Sequence, residues 1–245
     1  MPVFSSKGQY VQDIFNNIAT RYDLMNTMMS FGIHHYWRKT AINLANIPPD
    51  GKILDACCGT GLIIMDLARR VGPDGLIVGL DFSTAMLNIA KARLKNVKSN
   101  GKIQLIQADT NAMPFPDNTF DCVTIGYGLR NSADPGRVLK EIKRVLKPGG
   151  RALSLEMVKP SFPIFKEAYE CYLKFWVPLL GQILVHNKDA YKYFYDSIIS
   201  FFRRNELSDI YQELGFENIQ YSELTWGIAV IHTAIKPPAK NNLFF

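Results

Sequence analysis

The sequence predicts an α/β domain: a doubly wound sheet, mostly parallel, with an antiparallel hairpin at one edge. Three observations predict it. Short apolar runs alternate with helical stretches from about residue 51 to 159. Strands separated by helices require right-handed crossovers, and those pair strands in parallel. The first run, Ile53-Leu54-Asp55, feeds straight into Gly59-Thr60-Gly61 and a helical pattern. The alternation lapses near residue 160, and two further strand-like runs follow with Gly227 near their join, as a hairpin would have it.

The elements follow in chain order. Residues 1–47 read as helices, with Val11, Phe15, Ile18 and Tyr22 at helical spacing and a Met-rich apolar stretch over 23–30. Pro48-Pro49-Asp50-Gly51 breaks the pattern. Strands are expected at 52–55, 76–80, 103–106, 121–127 and 152–156. Helices are expected at 61–71, at 84–97 behind a Ser83 cap whose hydroxyl takes a first-turn amide, and at 137–146. Lys147-Pro148-Gly149-Gly150 should close the last of these. Residues 51–159 form the ligand-binding core and 160–215 a helical insertion. Strands at 220–224 and 228–235 complete the sheet within 216–235. The tail, 236–245, carries Pro237-Pro238 and should fray.

Composition excludes several classes. With 47% hydrophobic and 20% charged residues among 245, the chain is an ordinary globular one, neither disordered nor fibrous. The first 15 residues lack an apolar signal core. The longest charge-free stretch of apolar character, 175–187, is too short for a membrane span, which needs about 20 residues. Cys57, Cys58, Cys122 and Cys171 have no metal-binding or disulfide spacing, so no metal is expected and a reduced, cytoplasmic setting is. The net charge of +6 carries no basic run longer than two, so nucleic acid is not expected as a partner.

A candidate site lies where the first strand ends. Asp55 enters the Gly59-Thr60-Gly61 turn, and Asp81 ends the second strand, placing both acids at the carboxyl edge where doubly wound sheets bind ligands. A dinucleotide would want a third glycine where Ile64 stands, and its phosphates would be repelled by Asp55. S-adenosylmethionine has no phosphate, and its ammonium and sulfonium suit an acid at the strand end. Asp81 can accept both ribose hydroxyls, with Phe82 and Met86 next to it on the cofactor side. Asp109, paired with Thr110 after the third strand, can accept an adenine amino group. Gly126 and Tyr127 face where the transferable methyl group would lie, and Gly126 leaves room for the cofactor backbone contact. Tyr22 could reach the methionine carboxylate.

The chain also resembles the UbiE/MenG family of quinone C-methyltransferases. Tyr22-Asp23-Leu24-Met25-Asn26, Gly128-Leu129-Arg130-Asn131 and Leu224-Thr225-Trp226-Gly227-Ile228 carry the resemblance most specifically, and Val145-Leu146-Lys147-Pro148-Gly149-Gly150 less so. The resemblance implies a class I S-adenosylmethionine-dependent methyltransferase fold, Rossmann-like, with Thr60, Asp81 and the Asp109-Thr110 pair as cofactor contacts. It implies methylation of a ring carbon of a prenylated demethylquinol in menaquinone or ubiquinone synthesis. Two positions depart from the family pattern: Leu62 stands where an Asp is usual, and Gly126 where many members carry Ser.

Carbon methylation needs a ring carbon made nucleophilic by loss of a phenol proton and held about 3–3.5 Å from the methyl group. Arg130 and Asn131 are placed to stabilise the developing phenolate. His34, with Tyr127, is a further catalytic candidate, because an imidazole has a suitable ordinary pKa for a base. The amino-terminal helices should close over the cofactor. The insertion holds 12 of the 29 aromatic residues between Phe162 and Phe202. They would line a prenyl groove or pack as core or a homodimer face. Lys166, Lys174, Lys188, Lys192, Arg203 and Arg204 would suit an anionic lipid surface, giving transient peripheral contact at the inner face of the membrane. The alternatives are a methyltransferase for another phenol, quinoline or polyketide, and a non-catalytic cofactor-binding scaffold in lipid synthesis.

Overall fold

The computed structural model describes residues 6–160, 163–179, 182 and 188–239. Phe162, Leu180-Gly181, part of the 175–187 stretch and the tail beyond 239 lie outside the described residues, as do the side chains of Lys166 and Lys188. Seven strands form one sheet in the order β3-β2-β1-β4-β5-β7-β6. They are β1 (Lys52–Ala56), β2 (Leu76–Asp81), β3 (Lys102–Gln107), β4 (Phe120–Gly126), β5 (Leu146–Met157), β6 (Glu217–Leu224) and β7 (Ala229–Ile235). β1 to β5 pair in parallel, and β7 runs antiparallel to both β5 and β6. This is the class I S-adenosylmethionine-dependent methyltransferase fold.

The alternation of side chains across each strand divides the core into two layers. Ile53, Ile77, Leu153 and Ile231 face one side, packed with Ile64, Leu67 and Trp37. Leu54, Val78, Val123 and Ala152 face the other, against Leu139, Ile142, Leu207 and Tyr211. The helices α3 (His34–Leu44), α4 (Leu62–Ala68) and α5 (Thr84–Leu94) therefore belong to one face. The helix α6 (Pro135–Val145) belongs to the opposite face, where its apolar stripe of Val138, Leu139, Ile142 and Val145 is fully buried. Truncating Leu139 or Ile142 to alanine costs about 2–5 kcal/mol.

Ser83 caps α5 as the sequence predicts, accepting from the Met86 amide at 3.1 Å. Lys147–Gly150 does not lie outside the sheet. Leu146 already pairs with Phe120, and the turn, with Gly149 at φ +79°, bulges before Arg151 rejoins opposite Cys122. The fifth strand thus begins earlier than its apolar run suggests.

A third apolar cluster sits over the carboxyl edge. It joins α1 (Ser6–Ile18) and α2 (Tyr22–Met29) to the insertion through Ile14, Met25, Tyr169, Leu173, Val177, Tyr191 and Ile198. The insertion contains α7 (Pro163–Cys171), a π-helical turn over Tyr172–Trp176 and α8 (Lys188–Ile199), followed by α9 (Arg204–Glu213). Its aromatics split by side: Tyr169 and Tyr191 are buried, whereas Phe175 and Trp176 are exposed. Among the described residues, no helix is long and apolar enough to cross a membrane and no side-chain cluster could hold a metal ion.

Candidate active site

The sheet order reverses between β1 and β4, and two chambers open above that switch point. The smaller, about 90 Å³, is lined by Tyr22, Cys57, Gly59, Asp81, Phe82, Met86, Asp109, Thr110, Gly126, Tyr127 and Asn131, among others. The larger, about 250 Å³, is lined by His34, Trp37, Tyr127, Arg130, Tyr169 and Tyr172 together with Met, Ile, Leu, Phe and Val side chains. Tyr22 and Tyr127 border both. Most of the predicted cofactor residues thus meet in one chamber, and His34 and Arg130 meet in the other. Asn131 borders the smaller chamber and donates to the Tyr127 carbonyl at 2.7 Å.

The turn after β1 creates the smaller chamber. Gly59 and Gly61 take φ values of +53° and +82°, which L side chains rarely adopt. A side chain at Gly61 would also meet the Ala90 Cβ at 3.2 Å. Ile64, where a dinucleotide site would keep glycine, fills the space over Gly79: a Cβ there would lie 2.4 Å from its Cδ1. Gly126 is constrained similarly, since a Cβ would fall 2.5 Å from the Ile63 Cδ1. Ser at this position would therefore require Ile63 to move.

Asp81 is buried at the end of β2. Its two oxygens accept from the amides of Gly59, at 2.8 Å, and Ser83, at 2.9 Å. Burial pushes its carboxyl up to about 6, against the pull of those amides. Each carboxylate oxygen still has a lone pair for a ribose hydroxyl. Asp55 sits deeper and is fully buried. It does not border the smaller chamber; its Oδ1 accepts from the Thr124 hydroxyl at 2.7 Å. Its Oδ2 is buried without a partner, and burial pushes the carboxyl up to about 8. A carboxyl held largely protonated by burial would be drawn toward its ionised form by a cation nearby, and Asp81 keeps lone pairs for ribose hydroxyls at the chamber wall, so these residues fit S-adenosylmethionine. Thr60 also lies outside the chamber wall, donating to Asp23 at 2.8 Å. Asp23 in turn pairs with Arg93, which donates to the Thr60 carbonyl at 2.5 Å. With Gln12 donating to the Phe82 carbonyl at 2.7 Å, this knot ties α1 and α2 to the glycine turn.

Four buried polar atoms without a partner belong to residues lining the larger chamber: His34 Nε2, Tyr127 Oη, Arg130 Nε and Tyr169 Oη. Tyr127 is held at φ +58°, a strained conformation for an aromatic residue at a strand end. Arg130 donates through one amino group to the Tyr127 carbonyl at 3.0 Å and to Glu156 at 2.9 Å. Glu156 also accepts from the Leu129 amide at 2.7 Å. Burial raises the Glu156 carboxyl, and the Arg130 guanidinium opposes that rise. Sequence reasoning did not single out Glu156, nor Asn111 on the smaller chamber and Ser30 on the larger. Glu156 ends a strand five residues after the bulge, and only the alignment of β5 beside β4 brings it under Arg130.

The comparisons agree with this architecture. The sequence profile of the ubiE/COQ5 methyltransferase family matches residues 3–236. A demethylmenaquinone methyltransferase of Staphylococcus carnosus is 42% identical over 94% of this chain and 95% of its own length. A ubiquinone/menaquinone biosynthesis C-methyltransferase of Pseudomonas fluorescens is 37% identical over 95% of this chain and 91% of its own. Among solved structures, a SAM-dependent methyltransferase of Thermotoga maritima shares the fold with a TM-score of 0.66, at 22% identity over 92% of this chain and 99% of its own.

Proposed function

The chain belongs to the ubiE/COQ5 methyltransferase family and is an S-adenosylmethionine-dependent methyltransferase, and from that premise we propose that it methylates a ring carbon of a prenylated hydroquinone, demethylmenaquinol first and the ubiquinone-pathway equivalent second. One observation carries the reading: the larger chamber is lined mostly by Met, Ile, Leu, Val and aromatic side chains, and four of its residues, His34, Tyr127, Arg130 and Tyr169, each keep a buried polar atom without a partner. A hydroquinone with an isoprenoid tail has that pattern, polar at two ring oxygens and oily elsewhere. Bound in the smaller chamber, S-adenosylmethionine supplies a methyl group from its sulfonium.

The residues divide the work. Asp81, Phe82, Met86, Asp109, Thr110 and the Gly59-Thr60-Gly61 turn hold the cofactor, and a cation bound above Asp55 would draw that buried carboxyl toward its ionised form. Gly126 and the Tyr22–Tyr127 wall set the opening between the chambers. Arg130 Nε favours the ring oxygen as it gains negative charge, and Glu156 fixes the guanidinium. Tyr127 orients the oxygen, Asn131 holds the Tyr127 backbone from the cofactor side, and His34 lies on the same chamber as the oxygen. The aromatic insertion accepts the prenyl tail, and the outer rim touches the cytoplasmic face of a membrane.

The test is transfer of labelled methyl from the cofactor to reduced demethylmenaquinol, ranked by initial rate against demethoxyubiquinol precursors and water-soluble phenols. A clear preference for the prenylated quinols is expected. Faster methylation of soluble phenols would move the acceptor to another phenolic class, and tight cofactor binding without turnover on any acceptor would make the protein a scaffold.

A further inference from the structure

His34 opens α3 and is 7% exposed, against the larger chamber. Its Nδ1 lies 2.7 Å from the Ser30 hydroxyl. That hydroxyl is 2.6 Å from the Asn26 carbonyl, to which it donates. A serine hydroxyl has one proton, so once it is given to Asn26 the oxygen can only accept from the ring. Nδ1 must then carry the imidazole proton. In a neutral ring Nε2 is left with a bare lone pair, and Nε2 is buried with no partner. Burial keeps the ring neutral, holding its pKa down to about 4, with His35 and Arg38 adding to the effect.

We infer that Ser30 is a positioning residue that locks His34 in the Nδ1–H tautomer, so that Nε2 takes the phenol proton of the acceptor. The inference rests on the quinol reading above. The weakness of this base is no obstacle. As the ring carbon attacks the methyl group, the phenol oxygen turns into a protonated carbonyl, which is a strong acid. The C–C bond forms, the S–CH3 bond electrons return to sulfur, and the O–H proton passes to Nε2. The carbon-bound proton then leaves to water, His34 returns its proton to the ring oxygen, and aromaticity is restored with one proton released overall. Arg130, on the same chamber, draws the oxygen toward the deprotonated carbonyl form as its proton passes to Nε2.

The test reads the tautomer directly. Nitrogen-15 NMR of the free wild-type protein should show His34 protonated at Nδ1 and bare at Nε2. Ser30→Ala should shift the population toward Nε2–H and lower kcat about 10- to 100-fold, the scale of a lost general base. KM for the quinol and Kd for the cofactor should stay within about twofold, the pattern of an interaction felt only in the transition state. Ser30→Thr, which keeps the hydroxyl, should restore both the spectrum and kcat. A wild-type spectrum with Nε2–H, or a shifted tautomer in Ser30→Ala with undiminished kcat, would overturn the inference. The spectrum needs no turnover, so it judges the lock independently of the acceptor. A correct tautomer with no methylation of any quinol would overturn the quinol reading and the proton-transfer role with it.

Discussion

At the scale of single residues, the site is built from buried charges that are uncomfortable until something binds. Asp81 is raised to about 6 from an ordinary 3.8 by burial. An acid raised in this way contributes stability at pH values below its unfolded pKa and loses that contribution as pH rises through the folded one. The free protein therefore bears a cost for ionised Asp81 near neutrality, which hydroxyl donors from a ribose would offset. Cofactor affinity should fall as pH drops through about 6, and Asp81→Asn should flatten that step while weakening binding by roughly 1–3 kcal/mol. Calorimetry across pH checks both. Arg130→Ala would strand Glu156 in the interior, where loss of one partner of a buried pair costs about 3–5 kcal/mol. Urea unfolding should show that loss, and the double change Arg130→Met with Glu156→Gln should recover most of it. The sequence displayed Asp81 and Arg130 because a strand end and a short motif flag them. Glu156 was invisible, since its partner lies 26 residues away and only the fold aligns the two; Ser30 is near His34 in sequence, but nothing local says that its hydroxyl meets the ring.

At the scale of elements, α2 is the hinge between recognition and catalysis. Its first residues, Tyr22 and Asp23, touch the chambers and the glycine turn, and its end hands over to Ser30. The Asp23–Thr60–Arg93 knot is partly exposed, so its worth is modest. Asp23→Asn should speed cofactor release by roughly 3- to 10-fold, read by stopped-flow, with little change in overall stability. Strands, crossovers and the Ser83 cap were legible because alternation, glycine turns and a capping hydroxyl are local signals. The early start of β5 was not, because a Lys-Pro-Gly-Gly run looks like an exit from structure whichever neighbours it has. The double nature of the insertion was hidden too. Aromatic spacing cannot say which rings face a cavity and which face out.

At the scale of the whole molecule, the larger chamber opens beside an apolar rim. Phe31 and Trp226 are 75% and 74% exposed and sit at φ +49° and +53°, so two turns in uncommon conformations present aromatic rings outward. The Phe31 ring lies 6.4 Å from that of Tyr172, and the Trp226 ring 5.1 Å from that of Phe165, both of which line the chamber. If this rim meets lipid, replacing Phe31 and Trp226 together with Ser should weaken sedimentation with anionic vesicles by about tenfold or more, given 1.5–3 kcal/mol per large apolar side chain. Cofactor affinity should be unaffected.

The shared Tyr22–Tyr127 wall has a consequence for traffic. The two reactants of the proposed reaction come from different phases, one dissolved in water and one in lipid, and each has its own chamber. With separate chambers, neither product would have to wait for the other to depart. A spent sulfur donor can be exchanged while the quinol stays docked, and a methylated quinol can return to the bilayer past an occupied nucleoside pocket. On that reading the protein would work as a turnstile at the boundary between two solvents, with Tyr22 and Tyr127 as the shared partition.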